Sequence, residues 1–329
     1  MSGFILFAGE VAAMSGQRMA SVWIAGAMLA CDVDEAPRAV DDLDEVGARE
    51  LEANGFRLNG TRFNGFRLNG FRLNGFRLDG DENSGNYVDL ESFTLGQGGP
   101  VTHAWLAGSE LRAKNGSGTV FGGAQLVGAV LSFGLVDNGD NVYRNRRLRI
   151  ANVTRLAPGS EVWLYDLEVK DAVGVWQPLC DGPNGPTQAI LVGAVWDPTT
   201  GSRVAAVSDA VTAACRDAAI GKCVEWGYHP WKLADYHQTC TRLVRADYCG
   251  DGIPHTTDNV MIHVVDEIGV QVPEPDASYA VEAEWDPNGA TCLNAEHTRL
   301  PAPDIACVLP SCGEAFDSGG LIQTGVPAP

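Results

Sequence analysis

The run VGAVLSFGLV at 127–136 leads straight into Asp137, Asn138 and Gly139, and this junction decides the fold class. Asn-Gly suits the positive-φ positions of a tight hairpin turn. Similar runs follow: RLRIANV at 147–153, EVWLYDLEV at 161–169, WQPLC at 176–180 and AILVGAVW at 189–196. They are short, rich in β-branched and aromatic residues, partly alternating, and separated by Gly, Pro and Asp. Such a series predicts an antiparallel sandwich or barrel over residues 81–198. The chain has no Gly-rich phosphate loop after a strand, no Gly-x-Ser-x-Gly elbow and no His-Glu-x-x-His pair.

Beyond residue 199 the character changes. The stretch ACRDAAIGKCVEWGYHPW at 214–231 is dense in cysteine and aromatic residues. Leu233, Tyr236, His237, Cys240, Leu243, Val244 and Asp247 then fall at helical spacing, which predicts one amphipathic helix over 234–249, stopped by Gly250. On one helix Cys240 and Cys249 lie about 13 Å apart along the axis. That is too far for a disulfide, so each needs a partner elsewhere, and Cys292, Cys307 and Cys312 occupy later loops. The fold expected overall is mainly β with a smaller, cysteine-rich α+β part.

Three motifs carry a resemblance to a known family. RADYCGDG at 245–252, AIGKCVEWGYHPW at 219–231 and EAEWDPNGATC at 282–292 together resemble the ADYC-domain proteins, over roughly residues 100–312. The resemblance implies an exported protein of a group that includes many lipoproteins and is abundant in myxobacteria and their relatives. It implies an address and a fold family, and no activity.

The N-terminus fits that address. Met14 opens a better export signal than Met1: Arg18 supplies a positive start, and ASVWIAGAMLA at 20–30 is an apolar run too short to span a bilayer, which takes about 20 residues. Residues 1–30 are thus expected to be a signal peptide starting at Met14. Met28, Leu29 and Ala30 precede Cys31 in a pattern that resembles the bacterial lipobox, which implies cleavage before Cys31 and a lipid on its thiol. An ordinary cleaved signal with a free Cys31, or a buried helix, is the alternative. Of nine cysteines, the remaining eight (Cys180, Cys215, Cys223, Cys240, Cys249, Cys292, Cys307 and Cys312) form an even set able to make four disulfides. Eight cysteines allow about 105 pairings, so connectivity stays open.

Residues 31–53 are acidic and predict a solvated tether, with a short helix over 46–53 as the alternative. Residues 54–80 repeat every five residues, with Leu58, Phe63, Leu68, Leu73 and Leu78 in one column and Arg57, Arg62, Arg67, Arg72 and Arg77 in another. A period of five fits neither helix nor strand and suits a small solenoid. The segment resembles the pentapeptide-repeat β-helix, too short to stand alone and expected to dock on the next domain. Its arginine column is a candidate anion-binding surface, or a partner for the acidic tether. Asp79, Asp81 and Asn83 have the opening spacing of a calcium loop, but Ser84 and Leu90 stand where Gly and Glu are needed, so a polar turn is expected. Residues 313–329 read as a flexible tail.

At 329 residues, 45% hydrophobic and 20% charged, the chain can bury a substantial core. Its net charge of −19 argues against nucleic acid as a partner and against polybasic attachment to lipid. No metal or cofactor is expected: cysteine gaps such as 215–223 and 240–249 do not match zinc spacing. Cys249, His255 and Asp258 supply the residue types of a Cys-His nucleophile. His237, Asp247, Asp251, His255 and Asp258 form a candidate polar site for a glycan or peptide. The preferred reading is a lipid-anchored envelope protein, at the periplasmic face or cell surface, that binds or scaffolds an envelope protein or glycan. The alternative is an extracytoplasmic hydrolase using Asp and His around 237–258.

Overall fold

The computed structural model describes residues 52–54, 76–77, 87–136 and 143–328, with short gaps at 98, 171–172, 183–184, 198, 205–209, 258–259, 274–277, 302 and 314. Cys31 and the expected signal at 1–30, Arg57, Arg62, Arg67, Arg72, residues 79–85 and Asp258 lie outside the described residues. Arg77 is described only as backbone.

The first strands are β1 (Glu52–Asn54), β2 (Phe76–Arg77), β3 (Tyr87–Leu95), β4 (Gly99–Ala107), β5 (Glu110–Asn115) and β6 (Val120–Gly122). Next come β7 (Val130–Val136), β8 (Tyr143–Arg155), β9 (Trp163–Lys170), β10 (Trp176–Pro178), β11 (Cys180–Gly182), β12 (Gly185–Thr187) and β13 (Ala189–Val192). Then β14 (Val195–Trp196), β15 (Arg203–Val204) and β16 (Ala210–Cys215) lead to two helices, α1 (Ala219–Glu225) and α2 (Ala234–Arg245). The last strands are β17 (Val260–Asp266), β18 (Tyr279–Asp286), β19 (Gly289–Leu293) and β20 (Ile322–Pro327).

Eleven strands form one sheet in the order β2-β16-β13-β9-β8-β7-β3-β4-β5-β6, with β10 beside β9. β7 and β8 pair antiparallel from Val130–Arg149 to Val136–Tyr143, the hairpin that residues 127–139 predict. β2 also meets β3, but only through the single parallel pair Arg77–Tyr87. One residue pair is too little to close the sheet, so it is not a closed barrel. One face of this sheet carries Phe93, Leu131, Leu148, Ile150, Tyr165, Leu167 and Leu191, the centre of the largest core. Each such side chain contributes roughly 1.5–3 kcal/mol when removed from water.

On the opposite face of β9, β13 and β16, Leu164, Ile190, Val192 and Ala214 pack against Ile220 and Val224 of α1. Ala219 and Cys223 of the same helix join a different core, with Cys240, Leu243 and Val244 of α2. That core includes Ile262, Val264, Trp285 and Ile322 of a five-stranded sheet ordered β1-β17-β20-β18-β19. The two helices thus form a layer between two sheets. A seven-residue helix is marginal in water by itself. Here α1 is held by two cores and by the Cys223–Cys240 disulfide. Gly221 lets it approach β16: a Cβ there would lie 2.3 Å from the Cys215 carbonyl oxygen.

Several expectations are corrected. The 313–329 segment is not a loose tail, because β20 sits between β17 and β18 and buries Ile322 and Thr324. The end of the acidic tether is neither solvated chain nor helix: Glu52–Asn54 pairs with Val260–Ile262 as a strand. Helix α2 ends at Arg245, not at residue 249, because Ala246 takes a left-handed conformation with φ of 50°. Cys240 bonds backwards to Cys223, not forwards to a later loop, and Cys292 lies within β19. The other bridges are Cys180–Cys215, Cys249–Cys307 and Cys292–Cys312.

Candidate functional site

The chain turn after α2 gathers the polar residues the sequence singles out, but each faces its own partner. Asp247 is fully buried and accepts from Arg242 Nη1 at 2.5 Å, with Arg245 Nη1 at 3.5 Å. Both Asp247 oxygens also accept the Gly252 N–H at 3.1 Å. Arg242 uses its remaining donors on the Pro287 and Thr200 carbonyls and the Ser202 hydroxyl. These bonds pull the chain out of the helix at Ala246, and two cations in the last turn suit the helix's negative end. A β-carbon at Gly250 would lie 1.6 Å from the Asn288 carbonyl oxygen, and Gly250 has a φ of +66°. Only glycine lets the turn pack against the 286–289 turn in this way.

Asp251 accepts the Ile253 N–H at 2.9 Å, a local turn bond. The His255 ring lies against Tyr248 at 5.7 Å. His237 is elsewhere: its Nε2 donates to the Ile220 carbonyl at 3.1 Å and its ring faces Trp196 at 5.6 Å. It is completely enclosed, its Nδ1 has no hydrogen-bond partner, and burial pushes its pKa down from 6.5 to about 3. Cys240 and Cys249 are both in disulfides, and a disulfide sulfur is not a thiolate nucleophile. Across 237–255 the structure therefore builds networks that fix the fold, not converging groups around a reacting atom.

The side chain that follows Asp247 reaches deepest. Tyr248 stacks on Trp285 at 5.1 Å and its hydroxyl donates to Glu282 Oε1 at 2.7 Å. Glu282 takes a bidentate pair from Arg299, at 2.8 Å from Nε and 2.5 Å from Nη2, and a bond from Thr324. Arg299 also donates to the Leu243 carbonyl of α2. Both charged side chains are fully enclosed. Burial raises the Glu282 pKa, but the Arg299 guanidinium outweighs it and holds the carboxyl below its ordinary value. Burial, then the Glu282 charge, pushes the Tyr248 phenol well up. Glu284, also enclosed, accepts the N–H groups of Asp317, Ser318 and Gly320 and so pins the segment that leads into β20.

A second network joins the large sheet to the segment between the helices. Glu161 Oε1 lies 2.8 Å from His229 Nδ1 and 2.8 Å from Lys232 Nζ, and accepts from Trp231 Nε1 at 3.3 Å. Burial raises the Glu161 pKa, and Lys232 and His229 more than reverse that. An imidazole on a carboxylate is the arrangement of a general base. His229, however, is only 1% exposed, which leaves no room for a substrate at its ring. Among the described residues no group of three His, Cys, Asp or Glu side chains is placed to hold a metal, and no helix is long and apolar enough to cross a membrane.

Sequence reasoning singled out Asp247 but missed Arg242, Glu282, Arg299 and Glu161. Glu282 and Glu284 alternate with Ala283 and Trp285, and two acids in a strand beside Trp were a readable sign of buried charge.

The three-layer, mainly β architecture with four bridges defines a disulfide-stapled protein that matures in an oxidising compartment. The chain belongs to the ADYC-domain family: the ADYC domain model matches residues 123–299, more than half its length. That match begins after β6 and ends on Arg299. No curated protein and no solved structure matches the chain.

Proposed function

We propose that this is an exported envelope protein, anchored by a lipid on Cys31, with a binding or scaffolding role outside the cytoplasm. The observation that supports it best is cysteine use. Four bridges take eight of nine cysteines, and the one left over follows the lipobox-like Met28-Leu29-Ala30. A scaffold role agrees with the internal commitment of the Asp247, Glu282 and Glu161 networks. The hydrolase alternative gains no support from the separate surroundings of His237, Asp247, Asp251 and His255.

Detergent phase partition of the full chain expressed in a bacterium with a lipoprotein pathway tests the anchor. The protein should enter the detergent phase, and Cys31→Ser should move it to the aqueous phase. Equal partition of the two would contradict the anchor.

A further inference from the structure

The outer end of the large sheet carries an aromatic and basic surface in a chain of net charge −19. β4 and β5 pair antiparallel, with His103 opposite Lys114 and Trp105 opposite Arg112. Ala104, Leu111 and Ala113 are buried on the reverse face, so the alternating residues His103, Trp105, Arg112 and Lys114 share the outward face. His103 and Trp105 stack at 5.2 Å, with ring planes 24° apart. His103, Arg112 and Lys114 are exposed and Trp105 is partly buried.

The register shifts between Val101 and His103, and the Thr102 hydroxyl bonds to the Lys114 carbonyl across that irregularity. Bulges of this kind re-aim side chains, and they are common beside functional surfaces. Glu110 holds Arg112 in place with bonds to Nε and Nη2 at 3.0 and 2.8 Å. No carboxylate among the described residues pairs with Lys114, one of only four lysines in a chain of net charge −19. Aromatic residues and arginine are common in protein interfaces but lysine is depleted there, so the exposed Lys114 beside Trp105 is what sets this face apart.

We propose that this face binds an acidic glycan. The apolar face of a pyranose stacks on the Trp105 indole, whose orientation the stacked His103 ring fixes, while Lys114 takes up a sugar carboxylate. The proposal rests on the binding role stated above, but not on the lipid anchor. It also places the contact outside the family-matched residues 123–299.

Calorimetric titration of the disulfide-intact protein with hexagalacturonate, at low ionic strength, tests it. Binding should be measurable, weaken as salt rises, and be at least about tenfold weaker for the neutral galactose hexamer. Trp105→Ala and Lys114→Glu should each weaken it about tenfold or more. Lys114→Glu alters an exposed position and keeps the test valid if the tryptophan variant folds poorly. No binding, equal affinity for the neutral oligomer, or wild-type affinity in both variants would overturn the proposal. Such a failure would leave the anchor standing, since that is read from detergent partition.

Discussion

Arg299→Met should destabilise the protein by about 3–5 kcal/mol, the usual cost of leaving one member of a buried ion pair alone. The guanidinium makes two bonds to Glu282 and one to the Leu243 carbonyl, and no part of either charged side chain reaches water. Without it, Glu282 keeps only the Tyr248 hydroxyl, the Thr324 hydroxyl and the backbone N–H of residue 299. The double variant Arg299→Met with Glu282→Leu removes both charges and should recover part of the loss. Urea unfolding of the oxidised protein measures both. A single-variant cost below about 1 kcal/mol, the range of surface pairs, would show that the Arg299–Glu282 pair does not anchor β18 to α2.

Acid should weaken the protein before its carboxylates protonate. The His237 imidazole has a folded pKa of about 3 against an ordinary 6.5, with burial as the main cause and the Arg203 and His229 charges adding to it. The unfolded chain therefore binds a proton at this residue from pH 6.5 downward, while the folded chain does not until about pH 3. Stability is thus lost as pH falls through that window, by about 1.4 kcal/mol per unit once below 6.5. Glu282 and Glu161 are shifted in the same sense but act in a lower window: their lowered pKa values contribute stability above their ordinary 4.5 that is lost only below it. The interval from pH 6.5 to 5 therefore isolates the histidines. His237→Gln retains a donor for the Ile220 carbonyl and does not titrate. It should lose about 2 kcal/mol less than the wild type between pH 7 and pH 5. Parallel pH profiles of the two proteins would contradict this assignment.

What was legible in the sequence follows from how local each determinant is. The β7–β8 pairing was readable because the alternation and the Asn-Gly pair that follows it lie within one short stretch. The start of α2 was readable from the spacing of Tyr236, His237 and Cys240, but its end was not. Ala246 leaves the helix because Arg242, Asp247 and Gly252 close a polar ring, and no propensity of Ala246 itself announces that. β20 was missed because IQTGVP has weak alternation and is bracketed by glycines and prolines; pairing with β17 and β18 makes it a strand. The even cysteine set was plain in the sequence, yet the pairings were not, since Cys249 and Cys307 are 58 residues apart. At the candidate site, Asp247 stood out by its motif. Its role as an internal anchor depended on Arg242 and Arg245 turning inwards, which arginines on a helix rarely do without a buried partner.

The central claim is that the ADYC motif is the knot of a four-bridge, three-layer fold, with no reactive thiol in it. Peptide mapping of the unreduced mature protein, with free-thiol counting, tests this most directly. The account predicts Cys180–Cys215, Cys223–Cys240, Cys249–Cys307 and Cys292–Cys312, with no free thiol. A free thiol at Cys249, or Cys240 joined to any cysteine other than Cys223, would contradict it.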